Sequence, residues 1–227
     1  MSRDNFHEKL AHLETYVHEM GNILHQLMST LITALQTHQL ERDLVDNCLK
    51  TESRLDELEY LIEKGSLELL ALQQPMAIDL RLILCVIKIS MDLERIGDHL
   101  RKIFRKTRKL IESGYAEPFT PLIEMSILLR QMVDQILIAF NERNLALVSR
   151  TLQLDDQINH LQRHLFQEYI RDMQTKPSDT MISAGIYLLF ITRFLERIGD
   201  HVENVGERVA YLITGDMKKL KSSKTAP

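Results

Sequence analysis

Tryptophan is absent, and the 227 residues include only two cysteines, five prolines and eight glycines. Cys48 and Cys85 are too few for a disulfide framework or a zinc cluster. Both stand among apolar residues of helical patterns, which predicts reduced, buried thiols. The longest apolar runs, LILCVI and IYLLFI, are far too short to cross a bilayer, which excludes a spanning helix. Nor does the start read as a leader. Arg3, Asp4, Glu8 and Lys9 lie where a signal peptide needs apolar residues, and the expected location is cytoplasmic. An excess of one charge is missing too: the formal net charge is -4, and such mild acidity argues against a dedicated nucleic-acid binder.

What remains is an ordinary globular composition, 44% hydrophobic and 26% charged, with material for one large core or two small ones. Phe6, Leu10, Leu13, Val17, Met20, Leu24, Leu27, Leu31 and Ala34 step by four and three without a break, the seam of one long helix. No strand-like alternation of comparable length occurs. Leu44, Cys48, Leu55, Leu58, Ile62, Leu69 and Leu72 mark a second helix, which Pro75 closes. A third spans about 79–112 and ends at Gly114, Pro118 and Pro121. Three more follow at about 121–140, 145–174 and 179–213, the first with Thr120 as N-cap and Pro121 at its first position.

The stretch LERIGDH stands at 93–99 and again, unchanged, at 195–201. A shift of 102 carries Glu94 onto Glu196. One residue more aligns ESRLDELE at 52–59 with DDQINHLQ from 155, so the chain reads as an internal duplication. Short connections make neighbouring helices antiparallel. The expected fold is all-α, two tandem three-helix bundles over 1–115 and 118–215, with a flexible basic tail at 216–227.

Each LERIGDH holds a glutamate and an aspartate one helical turn apart. At about 100° per residue, Arg81, Lys88, Asp92, Arg95, His99 and Lys106 fall in one stripe, which the pattern assigns to solvent. Glu94 and Asp98 instead extend the line Leu80, Leu84, Ile87, Met91, expected to face the core. Like charges four apart destabilise a helix slightly, and burying either adds more. The second helix of each half brings further acid: Glu52 and Asp56, continued by Glu59 and Glu63, and later Asp155 with Asn159. If the helices pack side by side, each bundle gains an oxygen-rich pocket suited to Mg, Mn, Ca or Fe rather than structural zinc. The residues leave a second reading open, internal salt bridges to Arg101, Arg105 and Arg193.

PMAIDLRLILCVIKISMDLERIGDH and LERIGDHVENV resemble the two signature stretches of the PhoU family, and the duplication and six-helix plan match it over nearly the whole chain. The resemblance implies multinuclear metal clusters of Fe, Mn, Mg or Zn held by E(D)xxxD motifs. It also implies a cytoplasmic, non-catalytic and homodimeric regulator that acts with a phosphate ABC transporter and a sensor histidine kinase to keep phosphate-starvation genes off. Residue by residue, the motif falls on Glu52 and Asp56, Glu94 and Asp98, Asp155 and Asn159, and Glu196 and Asp200. Asn159 departs from it, since an amide offers only a neutral oxygen. Glu203 and Glu207, where the first half has Arg101 and Arg105, are additional candidates, or reach water instead.

RKIFRKTRK at 101–109 concentrates cations at a helix C-terminus, where the macrodipole favours them; the other reading is contact with an anionic membrane surface or an acidic transporter face. His99 and His201 point away from their neighbouring aspartates and are expected to face solvent or a dimer partner. Phe190 and Phe194 take the stripe that Lys88 and Asp92 make polar, which marks them as interface residues toward another protein or toward the first bundle of the same chain. Three function classes stand: a metal-containing regulatory adaptor, a metal-dependent phosphohydrolase using the same carboxylates, or a structural helical scaffold.

Overall fold

The computed structural model describes residues 3–72 and 75–216, so most of the expected tail, with Lys218, Lys219, Lys221 and Lys224, lies outside the described residues. The elements are α1 (Arg3–Thr37), α2 (Arg42–Leu72), α3 (Ala77–Glu112), α4 (Thr120–Glu142), α5 (Leu145–Leu152), α6 (Asp155–Thr175) and α7 (Asp179–Thr214). No strand occurs among the described residues, and no helix there is long and apolar enough to cross a membrane. The expected helix over 145–174 is divided at Gln153 and Leu154. There the Thr151 hydroxyl bonds back to the Leu147 carbonyl at 2.9 Å and to Gln135 at 3.2 Å, a back-bonding that bends helices. Asn144 caps α5 by accepting from the Leu147 N–H, and Ser178 caps α7 by accepting from Met181. Thr120 is not the cap of α4. Phe119 precedes the helix, so that Thr120 and Pro121 both lie inside its first turn.

The first bundle is α1, α2 and α3; the second is α4, α5 with α6, and α7. They dock through two pairs of duplicated helices, α3 on α7, the most extensive contact, and α1 on α4. One continuous apolar core therefore runs through both halves. Helices α2 and α6 flank it, each touching only helices of its own bundle. Cys48 and Cys85 are free and buried as expected, and burial pushes the Cys85 thiol up to about 11.

The core seam of α3 is Ile83, Val86, Ile89, Leu93, Ile96, Leu100 and Ile103. The line expected there lies at the edge of the core instead: Leu80, Leu84 and Met91 are exposed, Met91 by 51%. Of the stripe expected in water, Arg95 is exposed, but Arg81, Asp92, His99 and Lys106 belong to the docking face against α7. Asp92 accepts from His201 Nδ1 at 2.9 Å and from Asn204 Nδ2 at 3.1 Å. His99 and His201, expected outside, face each other with ring centroids 5.5 Å apart. The reason is chemical: α7 meets Asp92 with an imidazole and an amide and meets the cations and His99 with aromatic rings, and a wheel drawn for one helix gives no way to tell such a neighbour from water.

Two glycines explain part of the repeated stretch. A Cβ on Gly97 would stand 2.2 Å from Leu55 Cδ1, and one on Gly199 would stand 2.9 Å from an Asp155 carboxylate oxygen. In both halves the third helix approaches the second too closely for a side chain. Gly97→Ala is expected to lower the melting temperature. Overpacking a fully buried leucine costs about 1–3 kcal/mol, more than the ~1 kcal/mol that alanine returns in helix propensity. A variant melting at or above the parent would show that Leu55 moves aside freely.

Candidate carboxylate pockets

In the first bundle, Glu52 of α2 lies against Gly97, Asp98 and Arg101 of α3, while Glu94, one turn earlier on α3, interacts with Glu59 and Asp56 of α2. Glu52 is 2% exposed, and neither of its carboxylate oxygens accepts a hydrogen bond. Its nearest cation is Arg101, whose Nη1 lies 3.6 Å from Oε2 and whose Nη2 donates to Asp98. Arg95 stands 3.4 Å from Glu94 and 3.7 Å from Asp98, and Lys102 is also 3.7 Å from Asp98. Burial raises the Glu52 carboxyl against the pull of Arg101, with Asp56 and Asp98 adding to the rise. Glu94 is pushed up to about 7, by burial first; Arg95 opposes the shift, and Asp98, Glu59 and Asp56 reinforce it. Asp56 and Glu63 are exposed on the outer side of α2, while Glu59 is half-buried.

In the second bundle, Asp155 opens α6 and is 1% exposed. It is seated against the Gly199 backbone of α7 and accepts from Asn159 Nδ2 at 2.7 Å. The amide that replaces an aspartate therefore spends its donor on the neighbouring carboxylate. Glu196 pairs with Arg193 at 2.9 Å and Arg197 at 3.7 Å, and Asp200 pairs with Arg197 at 2.8 Å. Glu203 and Glu207 lie farther along α7 and are partly buried.

Both pockets thus combine the features of the two readings, buried carboxylates and arginines at their mouths. The arginine pairs on one helix turn are solvent-exposed and worth about 0–1 kcal/mol each. Such pairs leave the desolvation of Glu52 uncompensated. Among the described residues, no three carboxylate, imidazole or thiol groups already converge at metal-binding distance. The donor set still fits a hard cation, because Glu52 has two buried oxygens with no hydrogen-bond donor.

Between the pockets, at the α3–α7 contact, Phe194 stacks on His99 at 5.8 Å beneath Lys102, and Lys106 stands 4.9 Å above Phe190. Phe194 is packed against the core, while Phe190 stays 46% exposed. Lys102 and Lys106 of the basic run are thus engaged inside the chain, and Arg108 pairs with Glu112. Asp92 is a docking contact between the bundles that a wheel of one helix does not reveal. A signal was present in the duplication, where Lys88 and Asp92 in one half correspond to Phe190 and Phe194 in the other, an apolar change that a solvent-facing stripe does not call for.

A sequence model described as the PhoU domain matches this chain twice, over residues 17–107 and 122–209. A Caulobacter vibrioides protein called a phosphate-specific transport system accessory protein PhoU homolog is 32% identical over 93% of this chain and 91% of its own length. A Clostridium acetobutylicum protein of the same description is 30% identical over 95% of this chain and 97% of its own. Among solved structures, PhoU from Pseudomonas aeruginosa superimposes with a TM-score of 0.86 at 28% identity, covering 93% of this chain and 100% of that one. The phosphate transport system regulatory protein PhoU from Streptococcus pneumoniae gives a TM-score of 0.85 at 29% identity, with 95% and 100% covered.

A pH dependence follows from Glu94 in metal-free protein. Unfolded, its carboxyl releases its proton near 4.5; folded, it holds it to about 7. The folded state therefore binds more protons across that window, and its stability falls as pH rises from about 4.5 to 7. Glu94→Gln, neutral at every pH, is expected to match the parent near pH 5 and to exceed it near pH 8, by up to ~3 kcal/mol. Denaturant melts of chelator-treated protein at both pH values check this. A difference that does not change with pH would mean that Glu94 is ionised throughout.

Proposed function

Because the chain belongs to the PhoU domain family, we propose that it is an accessory regulator of a phosphate transport system, a helical adaptor carrying metal ions and having no catalytic role of its own. It works in the cytoplasm as a homodimer beside a phosphate ABC transporter and passes the transporter's state to a sensor histidine kinase. Metal would be held in the first bundle by Glu52, Asp56, Glu94 and Asp98, and in the second by Asp155, Asn159, Glu196 and Asp200, with Glu203 and Glu207 in reach. A bound cation supplies neutralising charge and a tie between the second and third helices of each half. Phe190, still half exposed, is the part of the aromatic pair left to meet a partner.

One observation carries the metal reading: Glu52, 2% exposed, has no hydrogen bond to either oxygen. A carboxylate buried that far costs several kcal/mol unless it is neutralised, and an arginine contact at 3.6 Å leaves most of its acceptor capacity unused. The adaptor reading is supported by the names of the relatives, which are accessory or regulatory proteins of phosphate transport.

Glu94→Ala with Asp98→Ala is expected to remove the first bundle's metal while the chain stays helical, read by elemental analysis of protein purified without chelator alongside circular dichroism. Unchanged metal content would sink the ligand assignment. Glu196→Ala with Asp200→Ala should leave about the first bundle's share behind, and complete loss would show that the two pockets depend on each other. For the adaptor role, the chain should capture transporter and kinase subunits from cells grown in high and low phosphate, and metal-loaded protein should not turn over a generic phosphate ester. Turnover abolished by the pocket variants would make the protein a phosphohydrolase instead.

A further inference from the structure

Each half of the chain carries an exposed apolar edge, and one of the two edges is bordered by cations. On α7, Ile182, Ile186 and Phe190 stand one turn apart, each 44–46% exposed, in a row about 12 Å long. On α6, which packs beside α7, Phe166 and Ile170 are exposed as well. A shift of 102 carries Leu80 and Leu84 onto Ile182 and Ile186, and one of 103 carries Leu67 onto Ile170, so the first half has its own version of the edge, also exposed.

We propose that the edge formed by α6 and α7, together with the cationic end of α3, is a docking surface for an anionic lipid bilayer. The chain lies on it peripherally, with Ile182, Ile186 and Phe190 at the acyl boundary and Lys102, Lys106 and Lys109 at the level of the phosphates. This inference stands apart from the metal reading of the carboxylate motifs.

Charge separates the two edges. The stretches that border the second, 101–112 on α3, 163–176 on α6 and 179–193 on α7, hold ten lysines and arginines against four acids. The matching stretches of the first, 203–214, 60–73 and 77–91, hold four against five. Of the four acids, Glu112 is paired with Arg108 at 2.7 Å and Asp172 with Lys176 at 3.9 Å, Glu168 faces His164 at 3.8 Å, and Asp179 lies in the first turn of α7. Arg101 and Lys102 contact Asp98, and Arg193 contacts Glu196. Arg105, Lys106, Lys109, Arg163 and Arg171 have no ion pair among the described residues. Lys106 instead lies over the rings of Phe190 at 4.9 Å and Tyr187 at 5.8 Å, and Lys102 over Phe194 at 5.9 Å. A ring holds an ammonium without neutralising it, so these lysines present full charge beside the apolar row. An acidic protein surface would need a cavity for each protruding side chain. A bilayer interface takes them at any spacing and gives every cation a phosphate.

Flotation of the full chain with vesicles of phosphatidylcholine alone, and of equal parts phosphatidylcholine and phosphatidylglycerol, tests this. The chain should bind the second and not the first, and binding should fall as salt is raised. Lys106→Gln with Lys109→Gln should weaken it about fivefold for each charge removed, and Ile182→Ser with Ile186→Ser about tenfold. Leu80→Ser with Leu84→Ser, the matching pair of the first half, should leave it unchanged. Circular dichroism is read alongside, and the lysine pair decides if the Ile182→Ser/Ile186→Ser chain does not fold. Equal binding to both vesicles, or equal loss from the two serine pairs, would overturn the inference and show unspecific apolar adhesion. Binding to neither vesicle would overturn it too. Retention on a polyglutamate resin, lost with Lys106→Gln/Lys109→Gln, would then give the surface to an acidic protein, and loss of dimer mass in Ile182→Ser/Ile186→Ser would give it to a second copy.

Discussion

Negative charge held between two packed helices is the constraint on which the rest of this molecule depends. Glu52 and Asp155 each sit almost wholly out of water, one from α2 and one from the start of α6, and each packs against the glycine of the repeated stretch on the next helix. Such an arrangement is unstable by itself, so other features follow from it. A glycine at 97 and another at 199 bring the helices close enough to share the pocket. Arginines at 95, 101, 193 and 197 hold the acids in check. The apolar cores on either side are continuous, and they supply the stability that the charged sites spend.

Duplication set a second constraint. When two copies of one unit dock side by side, the same stripe of each copy meets the other, and identical charged stripes would repel. The present chain resolves this by divergence: Lys102 and Lys106 on α3 meet Phe194 and Phe190 on α7, and Asp92 on α3 meets His201 and Asn204. A cation over a ring and a carboxylate accepting from an amide and an imidazole are complementary, whereas two identical charged stripes would not be. His99 is left in a closed space next to His201 and Lys102, and burial first, then these neighbours, push its imidazole down to about 4.

Much of this was legible in the sequence, because it rests on period. The helices, their antiparallel order and the duplication all follow from steps of four and three and from one repeated heptapeptide. The carboxylates could be singled out because like charges one turn apart require an explanation. What the sequence concealed were relations between helices. Leu84 and Met91 are as apolar as Ile83 and Ile89, so a wheel shows two adjacent seams and only packing distinguishes the core from its edge. Asp92 is polar, and nothing in its own helix distinguishes water from the polar groups of α7 that it meets. The division of 145–174 at Gln153 and Leu154 involves no glycine or proline, so composition gives no warning of it.

The placement of α2 and α6 has a mechanical meaning. Each is an outer leaf on a shared four-helix middle of α1, α3, α4 and α7, and neither leaf touches the opposite bundle. The α2 leaf is held to that middle by apolar contacts and by ion pairs to both of its neighbours, from Glu19 and Lys9 on α1 and from Arg101 on α3. Since the two leaves share no contact, loosening one leaves its counterpart seated. A partner that grips a leaf reads one bundle's state; a partner that spans the middle reads the pair.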